Sequence, residues 1–257
     1  MGPGAAMRNL AIATALVFAS GMAQAADLPV KVPILKAAPP VAYSWTGCFI
    51  GAAGGGGFGR GQHLNIVGLN ITDPFNVNGA IAGAEYGCNW QTGSWVLGTE
   101  SDFSWTSIRG SAHDVPPNNV LVVAGANEKW LSTSRLRAGF LPSDQLLLYA
   151  TGGLATARIE ATIDRTVLGQ GFISESATRW GWTAGAGVEY ALGGGWSAKA
   201  DYLYVRLAGH GYFNPVAPPF VPRGDVPFDE HVVRLGVNYK FTNCFFVFFG
   251  CGAVANY

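Results

Sequence analysis

Along residues 231–241, HVVRLGVNYKF, apolar side chains recur at every second position. Val233, Leu235, Val237, Tyr239 and Phe241 form one set, and Val232, Arg234, Gly236, Asn238 and Lys240 a second, mostly polar one. A period of two sends successive side chains to opposite faces, so this segment predicts a β-strand lying between two different environments. Comparable patterns recur at 45–59, 76–90, 95–108, 130–140, 145–158, 178–190 and 196–207, making eight predicted strands. Each has about the 9–11 residues, or a little more, that a tilted strand needs to cross a bilayer.

The links between these strands alternate in length. Residues 91–94, 141–144 and 191–195 are short turns, whereas the links near 60–75, 109–129, 159–177 and 208–230 are long. Short turns at one end and long loops at the other are the signature of an up-and-down barrel with periplasmic turns and extracellular loops. The last long link contains Pro215, Pro218, Pro219, Pro222 and Pro227, which excludes a regular strand there.

The two faces of the strands differ in charge. Leu97, Phe103 and Trp105 oppose Glu100 and Asp102, and Leu136, Ala138 and Phe140 oppose Arg135 and Arg137. Trp180, Trp182, Val188 and Tyr190 oppose Glu189, while Trp196, Tyr202 and Tyr204 oppose Lys199 and Asp201. A charge at mid-membrane on the lipid face costs ~2–4 kcal/mol, so the charged face is the lumen. With Glu85, Arg234 and Lys240 the predicted lumenal set holds five acids and five bases and is close to neutral. An eight-stranded barrel is just wide enough for its own side chains. Opposite charges in so narrow a space are expected to pair as a salt-bridged plug, because an unpaired buried charge is very costly.

Composition supports a membrane barrel. Charged residues are only 12% of the 257, about half the soluble average of roughly 25%, and the chain holds 36 Gly, 8 Trp, 9 Tyr and 15 Phe. A formal net charge of +0 argues against nucleic acid as a partner. Arg8, the apolar run at 10–19 and Ala23-Gln24-Ala25 predict a secretory signal peptide over 1–25. No apolar run reaches the roughly 20 residues of a spanning helix. Residues 26–43 read as a Pro-rich periplasmic leader, 44–241 as the barrel, and 242–257, TNCFFVFFGCGAVANY, as an atypical tail.

The segments WTGCFIG, VLGTESDFSW, STSRLRAGF, LLYATGGLA, GWTAGAGVEYAL, WSAKADYLYV and VVRLGVNYKF resemble successive strands of the RopB-type, OmpA-like outer-membrane proteins. The resemblance runs over nearly the whole chain up to Phe241 and keeps the order of the segments. It implies an all-β, eight-stranded antiparallel up-and-down transmembrane barrel in the outer membrane, with outer-membrane lipids and lipopolysaccharide as neighbours. It also implies that the last strand, with Gly236, Tyr239 and Phe241, is the signal read by the barrel-assembly machinery. The tail beyond Phe241 departs from the family pattern.

Cys48 and Cys88 lie at similar distances from the first long loop, so a disulfide between neighbouring strands is plausible in an oxidising periplasm. The face assignments put Cys88 with Tyr86 and Trp90 while Cys48 alternates with Phe49, which would need a bulge; two small buried hydrophobes are the alternative. His63, His113, His210 and His231 fall in loops or at the top of the last strand, without the nearby Ser and acid of a catalytic set, and read as solvated. GAAGGGGFG at 51–59 lacks the following helix of a nucleotide site. No metal or cofactor is implied. Three functions stay open: a non-enzymatic surface barrel contributing to envelope integrity, a small-solute porin, and a loop-based lipid-modifying enzyme or haem-binding receptor.

Overall fold

The computed structural model describes residues 43–64, 70–116, 119–209, 211–212, 224–225 and 228–241. The predicted signal peptide, nearly all of the leader, the tail at 242–257 and His210 lie outside these residues. The alternating segments form β1 (Gly47–Gly61), β2 (Phe75–Thr92), β3 (Trp95–Thr106), β4 (Arg109–His113), β5 (Val123–Ser143) and β6 (Leu146–Asp164). They continue as β7 (Phe172–Gly193), β8 (Trp196–Leu207), the short ribbon β9 (Gly211–Tyr212) and β10 (Gly224–Asp225), and β11 (Phe228–Phe241).

Every neighbouring pair is antiparallel, and β1 pairs with both β2 and β11, so the sheet closes on itself. Closure removes the open edge that a sheet in lipid could not satisfy. β4 continues β3 after a break at Ser107 and Ile108, since both pair with β5; the ring therefore has eight members. Chain reversal at the periplasmic end is tight. In the β7–β8 turn Gly193, Gly194 and Gly195 take φ of 95°, 60° and 86°, a region that L side chains rarely adopt.

Several strands are taller than predicted. β5 begins at Val123 and not at residue 130, β6 runs on to Asp164, and β7 starts at Phe172. Much of the predicted loops 109–129 and 159–177 is thus paired backbone standing above the membrane. Trp45, placed at the head of the first strand, lies before it: its buried indole Nε1–H donates to the Asp144 carbonyl at 3.0 Å and closes the barrel floor.

Aromatic side chains mark the membrane. Trp95, Phe140, Tyr190, Trp196 and Tyr239 ring the periplasmic end, and Phe58, Trp105, Trp130, Trp182 and Tyr204 the outer end, mostly well exposed. Trp95 and Trp105 share one face of β3. Their ten-residue spacing spans about 33 Å along the strand at about 3.3 Å per residue, or roughly 25 Å once tilted, matching the usual apolar band.

Candidate functional site

The lumen is the most chemically organised part of the molecule, and it is filled in three layers. At the floor Trp45 packs with Val96, Leu141, Leu147, Tyr149 and Ala191. At the outer end Phe75, Ile81, Ile108, Leu131, Ile159, Leu203, Phe228 and their neighbours form a continuous apolar cluster. Between the two lies a network of buried charges.

Alternation along β2, β3, β5, β7, β8 and β11 delivers these charges to one level. Arg135 Nη2 reaches Glu100 at 2.6 Å and Asp102 at 2.9 Å, and Thr133 Oγ1–H donates to Asp102. Lys199 Nζ is the hub, 2.8 Å from Glu85, 2.8 Å from Glu100 and 3.2 Å from Asp201. Arg234 spans Asp201 and Asp102, each at 3.1 Å. Arg137 lies 3.5 Å from Glu100 and pairs with Glu189, which also accepts from Asn238 Nδ2 at 3.1 Å.

The Arg137 guanidinium lies over the Tyr149 ring at 3.8 Å and 5.9 Å from the Phe49 ring. Room for these rings depends on glycine. A Cβ on Gly87 would come within 2.7 Å of Phe49, and one on Gly187 within 2.5 Å of Tyr149.

Of the ten charges predicted for the lumen, the structure brings nine into this network: Glu85, Glu100, Asp102, Glu189, Asp201, Arg135, Arg137, Lys199 and Arg234. Lys240 does not join it. Its position in the last rung puts the ammonium at the periplasmic rim, 4.2 Å from the Tyr43 ring and donating to the Ser44 carbonyl. Five carboxylates therefore face four bases, so the predicted balance fails by one.

Three buried lumenal charges escaped prediction. Arg179 donates through Nε to the Ala208 carbonyl at 2.9 Å. Glu128 and Glu230 lie side by side within the outer apolar layer, both 0% exposed. Among the described residues no base forms an ion pair with either.

Cys48 and Cys88 are direct partners across β1 and β2 and form a disulfide on the outward face. Phe49 turns into the lumen beneath Arg137, so both cysteines share a face and no bulge is involved. In the closing strand, Gly236 lies inward against Lys199, Tyr239 packs outward on Trp196 at 5.0 Å, and Phe241 pairs with Cys48.

Of the described histidines, His63 departs from expectation. His63 is buried, not solvated: it stacks on Phe75 at 5.9 Å and its Nε2–H donates to the Gly125 carbonyl at 3.2 Å. Burial pushes it down to about 4. His113 is exposed beside the Val120 carbonyl, and His231 lies among Phe58, Tyr202 and Tyr204 on the outward face.

Residues 11–241 match the family described as outer membrane protein beta-barrel domain. A 31 kDa outer-membrane immunogenic protein of Brucella melitensis biotype 1 is 32% identical over 249 residues, covering 91% of this chain and 100% of that protein. A 22 kDa outer membrane protein of Rhizobium leguminosarum bv. viciae is 30% identical over 201 residues, covering 77% and 79% respectively. Among solved structures, the outer membrane protein OprG from Pseudomonas aeruginosa shares the fold, with a TM-score of 0.54 and 16% identity over 79% of this chain and 99% of that one.

Proposed function

This chain belongs to the outer membrane protein beta-barrel family and resides in the outer membrane; from that premise we propose that it is a non-enzymatic, non-conducting surface barrel that contributes to envelope integrity. The observation that carries this reading is the filled lumen. A pore that selects ions presents a ring of one dominant sign to water. Here each base of the network touches at least one carboxylate, and apolar layers lie above and below.

The histidines support the non-enzymatic part. The ring of His63 is committed to the Gly125 carbonyl, and that of His231 to the Tyr202 hydroxyl at 2.6 Å. The work of such a barrel falls to its outer surface: the lipid-facing band and the paired strands above it. A relative named for immunogenicity fits a protein that shows those parts to the outside. The closing strand, with Gly236, Tyr239 and Phe241, serves as the signal to the assembly machinery.

Planar-bilayer recording of refolded protein tests the closed lumen, after a heat-dependent gel shift has shown a folded barrel. The expected trace is flat. Stable unitary openings that persist when the network is neutralised pairwise, as in Glu100→Gln with Arg135→Gln, would make the protein a channel.

A further inference from the structure

At the seam where β1 meets β11, and on to β8, the outward face carries an ordered set of side chains. Phe58, His231 and Tyr204 are register partners across the three strands and form one row of the outer girdle. His231 stacks on Phe58 at 5.4 Å, nearly parallel at 18°, and bonds the Tyr202 hydroxyl. One outward-facing rung above them stand Arg60, Asp229 and Arg206, again direct register partners. Two residues along a strand are roughly 6–7 Å, so this rung lies at the height of the lipid headgroups.

The rung is basic. Arg206 Nε lies 3.6 Å from Asp229 Oδ1, with side chains 60% and 43% exposed, so its Nη groups stay open to a ligand. Arg60 is exposed and takes no ion pair among the described residues. Two strands at about 4.8 Å spacing put the arginine Cα atoms roughly 10 Å apart, within reach of one shared anion for two such long side chains. Guanidinium forks match phosphate oxygens bidentately.

Other charges near this height do not repeat the arrangement. Lys129 and Glu160 neutralise each other at 2.8 Å, and Arg158 stands without a second base as its register partner.

We propose that Arg60 and Arg206 clamp a phosphorylated lipid headgroup of the outer leaflet, the Phe58–His231–Tyr204 row bearing on its acyl base and Asp229 aligning Arg206 while competing for it. This rests on the outer-membrane placement of the barrel and is independent of whether the lumen conducts.

The test uses refolded full-length protein in nanodiscs of neutral phosphatidylcholine doped with bis-phosphorylated lipid A, its dephosphorylated form, or neither. Retained lipid is counted by native mass spectrometry. Wild type is expected to retain the phosphorylated form, and Arg60→Gln with Arg206→Gln to lose about tenfold in retention, two charge-assisted contacts being removed. Asp229→Asn removes the competing carboxylate and is expected to raise retention a few-fold.

Arg158→Gln, on another face, is expected to leave retention unchanged, and unaltered heat-dependent gel mobility establishes that every variant is folded. Equal retention by the double variant and wild type overturns the site. So does equal retention of the dephosphorylated lipid. Displacement by millimolar inorganic phosphate would show a general anion site and overturn the assignment to lipid. Open channels in the bilayer recording, by contrast, would leave this clamp untouched.

Discussion

The periplasmic and outer halves of the lumen fill the same cylinder with opposite chemistry. In the periplasmic half four bases hold five carboxylates, and most members touch more than one partner. In the outer half Ile81, Leu131, Ile159, Leu203, Phe228 and their neighbours simply pack, interrupted by the Glu128–Glu230 pair. Apolar packing is divisible, because losing one side chain costs its own transfer energy and a cavity. A buried charge network is not divisible in this way: removing one member leaves its partners charged and desolvated. The two halves should therefore fail differently.

The largest effect is expected at the hub. Lys199→Met removes the shared partner of Glu85, Glu100 and Asp201 at nearly constant volume and should cost about 3–5 kcal/mol. Leu131→Ala in the other half should cost about 2–4 kcal/mol. Magnitudes this close do not separate the halves, but rescue does. Glu100→Gln is expected to destabilise the wild type yet to recover more than ~1 kcal/mol in the Lys199→Met background, the coupling expected of neighbours in one network. No carboxylate change should rescue Leu131→Ala. Urea titration followed by tryptophan fluorescence and gel mobility reads both, and absence of rescue at position 199 would erase the distinction.

A smaller effect, with the opposite sign, is expected from the acid pair. Glu128→Gln with Glu230→Gln keeps the size and gives each side chain a donor for its neighbour while removing any buried charge. It should be neutral or stabilise the barrel by up to about 1–2 kcal/mol, as replacements of buried charges often do. A loss above that range would show that the pair has a partner of its own and that the outer half is not simply an apolar fill.

Much of this comparison was legible in the alternation of the chain. Period two separated Glu100, Asp102, Arg135, Arg137, Glu189, Lys199 and Asp201 from their lipid-facing neighbours without any knowledge of register. What it missed has particular physical causes. A bulge in β5 between Glu128 and Trp130 shifts the phase by one residue, so Glu128 turns inward where unbroken alternation would send it out. Glu230 stands one residue above the predicted start of the last strand, which in fact begins at Phe228. Lys240 has the right parity but the wrong height, because parity carries no information on depth. His63 left no local signal at all: its burial is imposed by Phe75 and the Gly125 carbonyl, which are distant in sequence.

The smallest expected effect lies above both halves, where His63 seals the loop that follows β1. Its backbone carbonyl accepts from the Ile71 amide at 2.8 Å, and its own amide donates to Thr72 Oγ1 at 3.1 Å. Burial lowers its pKa from the ordinary 6.5 to about 4, so between those values the open loop binds a proton that the closed loop excludes. Closure is thus at full strength above about pH 6.5, weakens as pH falls toward 4, and changes little below that. Nearby Asp114 has the opposite sign. Burial raises it from 3.8 to about 6, so acidification through that window strengthens the closed form, partly masking His63. His63→Gln keeps a side-chain donor for Gly125 but does not titrate. Hydrogen exchange at the Ile71 and Val115 amides, corrected for intrinsic rates, should show protection in wild type falling by about 1–2 kcal/mol from pH 6.5 to 4. The variant should show no such fall, and a slight rise from Asp114 in its place. An unchanged acid-induced loss in His63→Gln would show that a group other than His63 carries the loop's pH response, and it would have to be one that, like His63, binds its proton more readily in the open form.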